Sequence, residues 1–175
     1  SGDGPAPAVP CFLGEAAQEL EPMLRYLAAR PVATRCLAAF ATRLDDPARA
    51  RLQAMVRRTG GSVEMLAPRR WDLLPAVLRE KGAVVVHSAG LAGFRLRWLA
   101  AERVGFVWDR ETAVDLPALQ KFPELAFDAG QPGSLAAALG AAAQCTCWPD
   151  VFAAVSTPPT RPPVAPAHRP PRVAP

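Results

Sequence analysis

Two short clusters set side chains of nucleophilic or metal-binding type next to one another in this chain. His87-Ser88 follows an apolar run and sets an imidazole beside a hydroxyl, residue types that activate a nucleophile where an α/β sheet presents them at its carboxyl edge. No G-x-S-x-G turn surrounds Ser88, and neither G-x-x-x-x-G-K-[ST] nor G-x-G-x-x-G occurs; Gly90-Leu91-Ala92-Gly93 is only a fragment of such a loop. His87 is the one histidine before the tail, and no paired carboxylates stand out as its acid–base partners. His87 therefore reads as a strand-end residue and Ser88 as a helix cap. The chain is expected not to be an enzyme and to need no cofactor. In Cys145-Thr146-Cys147 the cysteines are one residue apart, closer than in a zinc knuckle, with no second Cys or His pair nearby. These thiols are expected to be reduced and partly buried beside Trp148, with no metal.

The remaining candidate chemistry is cationic. Arg49, Arg51, Arg57 and Arg58 fall within one predicted helix, with Arg69 and Arg70 shortly after, and such a set can contact nucleic-acid phosphates without reading sequence. The same arginines read equally as a solvated helix face. Charge favours the second reading: 20 basic side chains stand against 16 acidic ones, and Arg161, Arg169 and Arg172 of the acid-free tail account for most of the excess. The body before Ser156 is left at +1, so the sequence pI of about 9.2 is mostly a property of the tail.

The elements that must position these residues alternate. Phe12–Ala29 carries apolar residues at helical spacing, broken by Pro22 and ended by Arg30-Pro31. Cys36–Thr42 is an apolar run of strand length. Asp45-Asp46-Pro47 starts a helix with Ala48, Leu52, Met55 and Val56 inward, and Gly60-Gly61 stops it. Ser62–Leu66 reads as a strand, Trp71–Lys81 as a helix, and Ala83–Val86 as a central strand covered on both faces. Leu91–Arg103 follows as a helix with Leu91, Phe94, Trp98 and Leu99 inward and Arg95, Arg97 and Glu102 nearer solvent. Val104–Trp108 is then a fourth strand, and Asp109–Leu119 another helix. Four strands joined by helical crossovers imply an α/β fold with a four-stranded parallel sheet flanked by helices. Phe122–Val155, with a helix at Ser134–Ala143, reads as a C-terminal appendage, and the segment before Cys36 as an N-terminal helical extension.

In order and spacing, residues 36–119 resemble the breast-cancer C-terminal repeat, or BRCT, family. Cys36–Thr42 stands for its first strand, Asp46–Thr59 for its first helix, Gly60-Gly61-Ser62 for its hallmark turn and Val84–His87 for its third strand. Phe94-Arg95-Leu96 matches the basic start of its next helix, and Val104–Val107 its fourth strand. Two departures stand out. The family's Trp after the fourth strand falls at Glu111, and the helix at Trp71–Lys81 replaces a loop. Some members of the family bind phosphoserine or phosphothreonine, and the resemblance carries that role onto the Thr42 hydroxyl, the Arg43 backbone N–H and the Arg95 guanidinium. A hydroxyl, an amide near a helix N-terminus and a guanidinium all donate to phosphate oxygens. Arg43 stands where the family commonly has Gly. Arg97 lies about 200° round the helix from Arg95 and faces away.

The resemblance implies a non-catalytic interaction module that recognises a phosphorylated Ser/Thr partner in DNA repair, checkpoint signalling or chromosome maintenance and segregation, including kinetochores, in the nucleus. The alternatives are DNA binding through Arg49, Arg51, Arg57 and Arg58, or phosphate-independent docking or dimerisation. Residues 1–10 read as a disordered lead-in, 11–155 as the domain with its extensions, and 156–175 as a disordered Pro/Arg-rich tail that offers a weak ligand for an SH3-type domain. The chain starts without Met and is expected to be a piece of a longer protein. No apolar run approaches the ~20 residues that span a bilayer, so no membrane partner is expected.

Overall fold

Every residue of the strand Ala83–His87 is buried, as the Ala-Val-Val-Val run requires of a strand covered on both faces. A computed structural model of the chain describes residues 8–14, 19, 20, 24, 27, 35–40, 43–58, 60–67, 72–87, 94–128, 130, 131 and 133–156. In chain order its elements are β1 (Val9–Gly14), β2 (Arg35–Phe40), α1 (Asp46–Arg58), β3 (Ser62–Leu66), α2 (Leu74–Glu80), β4 (Ala83–His87) and α3 (Phe94–Ala101). Then come β5 (Phe106–Asp109), α4 (Thr112–Asp115), two 3-10 turns (Pro117–Lys121 and Pro123–Leu125), β6 (Ala126–Phe127), α5 (Ser134–Gln144) and α6 (Trp148–Ser156). The strands form one parallel sheet in the order β3-β2-β1-β4-β5-β6.

The α/β class and the helix-flanked parallel sheet are as expected, but the sheet has six strands and not four. One addition is β1, which lies at the centre, with Cys11 opposite both Leu37 of β2 and Val85 of β4. It begins at Val9, inside the stretch read as a lead-in, and takes Phe12–Gly14 from the expected helical extension. Helix is found further along that stretch, where Leu20, Leu24 and Leu27 are helical and buried. The other addition is β6, which pairs with β5 and draws the supposed appendage into the sheet.

Local signals explain the better-read elements. Asp45 caps α1 by accepting the Ala48 N–H at 2.8 Å, Leu52 and Val56 form its buried stripe, and Gly60 ends it at φ 77°. The expected helix over Asp109–Leu119 shrinks to α4 and a 3-10 turn at Pro117. A second aromatic layer forms where α6 packs on α3, with the Phe106 ring 6.4 Å from Trp148 and 6.2 Å from Phe152. Trp148 fits because Gly105 has no side chain: a Cβ there would stand 2.8 Å from its Cζ2.

Candidate functional site

In this strand order the chain leaves β1 toward β2 and leaves β4 toward β5, so the connections part at the carboxyl ends of β1 and β4, where open α/β sheets hold their ligands. That crevice is occupied from within. Arg95, reaching across from α3, donates to Glu19 Oε1 at 2.6 Å and to the Leu13 carbonyl at 3.3 Å. Its side chain is 7% exposed, so this is an interior guanidinium bound to a carboxylate. The reading of Arg95 as a solvent-facing helix residue is thereby corrected; the inward stripe of α3 is Arg95, Leu96, Leu99 and Ala100, with Arg97 exposed and Trp98 half-buried. Gly14 closes the crevice floor, since a Cβ there would press on the Phe40 ring and lie 3.2 Å from Glu19 Oε2.

Beside the crevice, at the carboxyl ends of β2 and β3, opens a cavity of about 480 Å³ lined by Phe40, Arg43, Leu44, Arg49, Met65 and Leu66 together with Ala67. Arg43 is exposed at its rim. Arg49 is half-buried, with its Nε out of water and without a hydrogen-bond acceptor among the described residues. A buried, unpartnered guanidinium N–H is costly to leave unmet, and the same side chain lines the cavity, where a guanidinium can pair with a ligand oxyanion. The N-terminus of α1 contributes less, because the Asp45 carboxylate already takes one of its free amides. What the cavity can do chemically is hold an oxyanion between two guanidiniums, with Phe40, Met65 and Leu66 giving an apolar wall to the group that carries it.

Of the three residues that the resemblance assigned to phosphate, Thr42 lies outside the described residues, Arg43 lines this cavity, and Arg95 is not part of its lining. Of the arginines read as a DNA face, Arg49 belongs to the cavity, while Arg51, Arg57 and Arg58 are exposed on α1. At about 100° per residue Arg51 and Arg58 share one side of the helix and Arg49 falls roughly opposite, so the four do not form a single stripe. Arg69, Arg70 and Ser88 lie outside the described residues. His87 is buried at the end of β4, and Asp109, at the end of β5, accepts the Glu111 N–H at 3.1 Å. Cys145 and Cys147 are free and half-buried, their Sγ atoms 3.1 Å apart. Burial pushes the Cys145 thiol up to about 11, the hydrogen bond to Cys147 adding to it. Among the described residues no helix is long and apolar enough to cross a membrane.

Sequence reasoning missed the pairing of Arg43 with Arg49 and the role of Glu19. The first was within reach, since Asp45-Asp46-Pro47 fixes the start of α1 and thereby puts Arg49 in its first turn, next to the end of β2. Glu19 carried no local signal, being 76 residues from Arg95.

No protein-family model, no curated protein and no solved structure matches this chain.

Proposed function

We propose that the chain is a non-catalytic interaction module that receives a phosphorylated Ser/Thr segment of a partner protein in the cavity between Arg43 and Arg49. The observation that supports this reading most is Arg49, which lines the cavity with its Nε out of water and without an acceptor among the described residues, together with a second arginine, Arg43, in the same lining. Arg43 supplies the outer cation and Arg49 the inner one, while Phe40, Met65 and Leu66 take an apolar residue next to the phosphate. The BRCT resemblance over 36–119 supports the same ligand class and suggests a nuclear role in repair, checkpoint signalling or chromosome segregation. This reading takes Arg49, rather than the Arg95 of the resemblance, as the inner cation.

The test is capture by the whole chain from matched phosphorylated and unphosphorylated Ser/Thr peptide libraries, followed by calorimetric titration of the selected peptide. Arg43→Ala and Arg49→Ala should each weaken binding by about 1.5–3 kcal/mol, the range for hydrogen bonds to charged groups, and leave the circular dichroism spectrum unchanged. Equal capture of both libraries would reject the reading. Binding that falls steeply with salt and depends on Arg57 and Arg58 would favour DNA instead.

A further inference from the structure

The opposite, amino-terminal edge of the sheet has a cavity of its own, about 460 Å³, between the starts of β1, β4 and β5 and the helices α5 and α6. Arg79, Lys81 and Arg103 are among its lining residues, and so are Trp148 and Phe152. The charges there do not cancel. Lys81 is paired with Glu64 at 3.0 Å, and Glu64 also holds Arg35. Arg79 is bound to the Glu102 backbone carbonyl, which carries no formal charge, and Arg103 is exposed with no ion pair among the described residues. Two guanidiniums thus line the cavity with no carboxylate partner among the described residues. The Trp148 and Phe152 rings of the lining are stacked, 5.7 Å apart with 18° between their planes, and both are only half-buried.

The backbone of Arg103 marks it out further. Among the described residues, three helices end in a left-handed turn. After α1 the position is held by Gly60 at φ 77°, and after α2 by Gly82 at φ 63°. After α3 it is Arg103 at φ 57°, with Val104 N–H returning to the Leu99 carbonyl at 2.9 Å and Arg103 N–H to the Ala100 carbonyl at 3.1 Å. A residue with a Cβ is disfavoured in this conformation, where glycine fits without strain. The chain has a cation where the ends of α1 and α2 have glycine, and that cation lines a cavity. Strain held at one position against the local preference is a mark of a functional constraint.

We infer that this cavity binds a nucleoside phosphate, free or at the end of a single strand: the phosphate on Arg103 and Arg79, the base against Trp148 and Phe152. The presence of guanidiniums and half-buried aromatic rings in one lining suits both parts of that ligand, since bases stack on indole and phenyl rings and phosphates pair with guanidinium. The volume falls in the range of small-molecule sites. This site is separate from the Arg43 cavity, which lies at the other end of the strands.

The whole chain would be titrated with adenosine monophosphate, with a short single-stranded oligonucleotide and with inorganic phosphate, followed by calorimetry and tryptophan fluorescence. Saturable binding of the monophosphate identifies a free nucleotide as ligand, and binding of the oligonucleotide alone identifies a strand. Inorganic phosphate should bind more weakly than either. Arg103→Gly should reduce affinity about tenfold or more while the melting temperature stays level or rises, and Arg103→Lys should keep part of the affinity. Arg43→Ala should leave this binding unchanged, which separates it from the phosphopeptide reading. If neither nucleoside phosphate binds, or Arg103→Gly binds as well as the parent chain, the inference is overturned.

Discussion

Replacing Glu19 by Gln keeps the shape of its side chain and removes its charge, leaving the Arg95 guanidinium in the β1–β4 crevice without its carboxylate. Arg95 is almost wholly out of water at 7% side-chain exposure, whereas Glu19 keeps 23%. Breaking a fully buried ion pair from one side costs about 3–5 kcal/mol, because the remaining charge is stranded. The partial exposure of Glu19 places this pair near the lower end, about 3 kcal/mol. With a urea slope of about 2 kcal/mol per molar, the unfolding midpoint should drop by roughly 1.5 M. Arg95→Met strands the less buried partner and should cost less. The double variant should cost less than the two singles summed, by about 1–3 kcal/mol, as residues in direct contact do. Urea denaturation followed by circular dichroism on all four proteins completes the cycle. A Glu19→Gln midpoint within about 0.2 M of the parent, far short of the expected drop, would refute the structural assignment of the pair. So would an Arg95→Met variant that keeps full stability and loses phosphopeptide binding, because that would return Arg95 to the ligand.

Two further outcomes follow from the sheet. Burial pushes the Cys36 thiol up to about 11, and it pushes Cys11 up still further, with Cys36 nearby adding to the effect. Thiols of the unfolded chain ionise near 9.0, so above that pH the folded state retains protons that the unfolded state has lost. Stability is then complete below pH 9 and should fall by about 1.4 kcal/mol per pH unit per thiol as pH rises toward 11, and urea melts of Cys36→Ala over the same range should show a shallower decline. Gly14→Ala brings a methyl within 2.6 Å of Phe40 Cδ1, an overpacking that costs about 1–3 kcal/mol. Thermal melts should show the loss, and Phe40→Leu in the same chain should recover part of it.

What could be read from the sequence was what is encoded locally. Asp45 and Pro47 at the start of α1, Gly60 at its end and the β-branched run of β4 each state their structure within a few residues, and each was read correctly. β1 was missed because its residues lie at the end of a Gly/Pro/Ala stretch and because Pro10 argues against a central strand. Its place two residues into the strand makes the missing N–H tolerable. β6, two residues long, has no periodicity to read. Arg95 was misread for a different reason. A long cation between apolar neighbours on a helix looks solvated until its partner is known, and that partner is brought in by the pairing of β1 with β4.

The crevice and the two cavities are best understood together. A doubly wound sheet with strand order 3-2-1-4-5-6 ordinarily offers its β1–β4 crevice to a pyrophosphate, which needs a glycine-rich turn whose backbone amides can approach the anion. Here Gly14 is followed by Glu15-Ala16-Ala17-Gln18, and its open side is taken by the Phe40 ring. The Glu19 carboxylate stands 3.2 Å from the position a Cβ would have, so an incoming anion would meet negative charge. The cation that would offset it, Arg95, is already neutralised by the same carboxylate. Ion pairing inside the crevice thus removes its capacity for anions and turns it into a clamp between β1 and α3. The proposed anion sites use guanidiniums with no carboxylate partner among the described residues, Arg43 and Arg49 at the carboxyl edge and Arg79 and Arg103 at the amino edge, and loss of the clamp should lower stability without uncovering a third site.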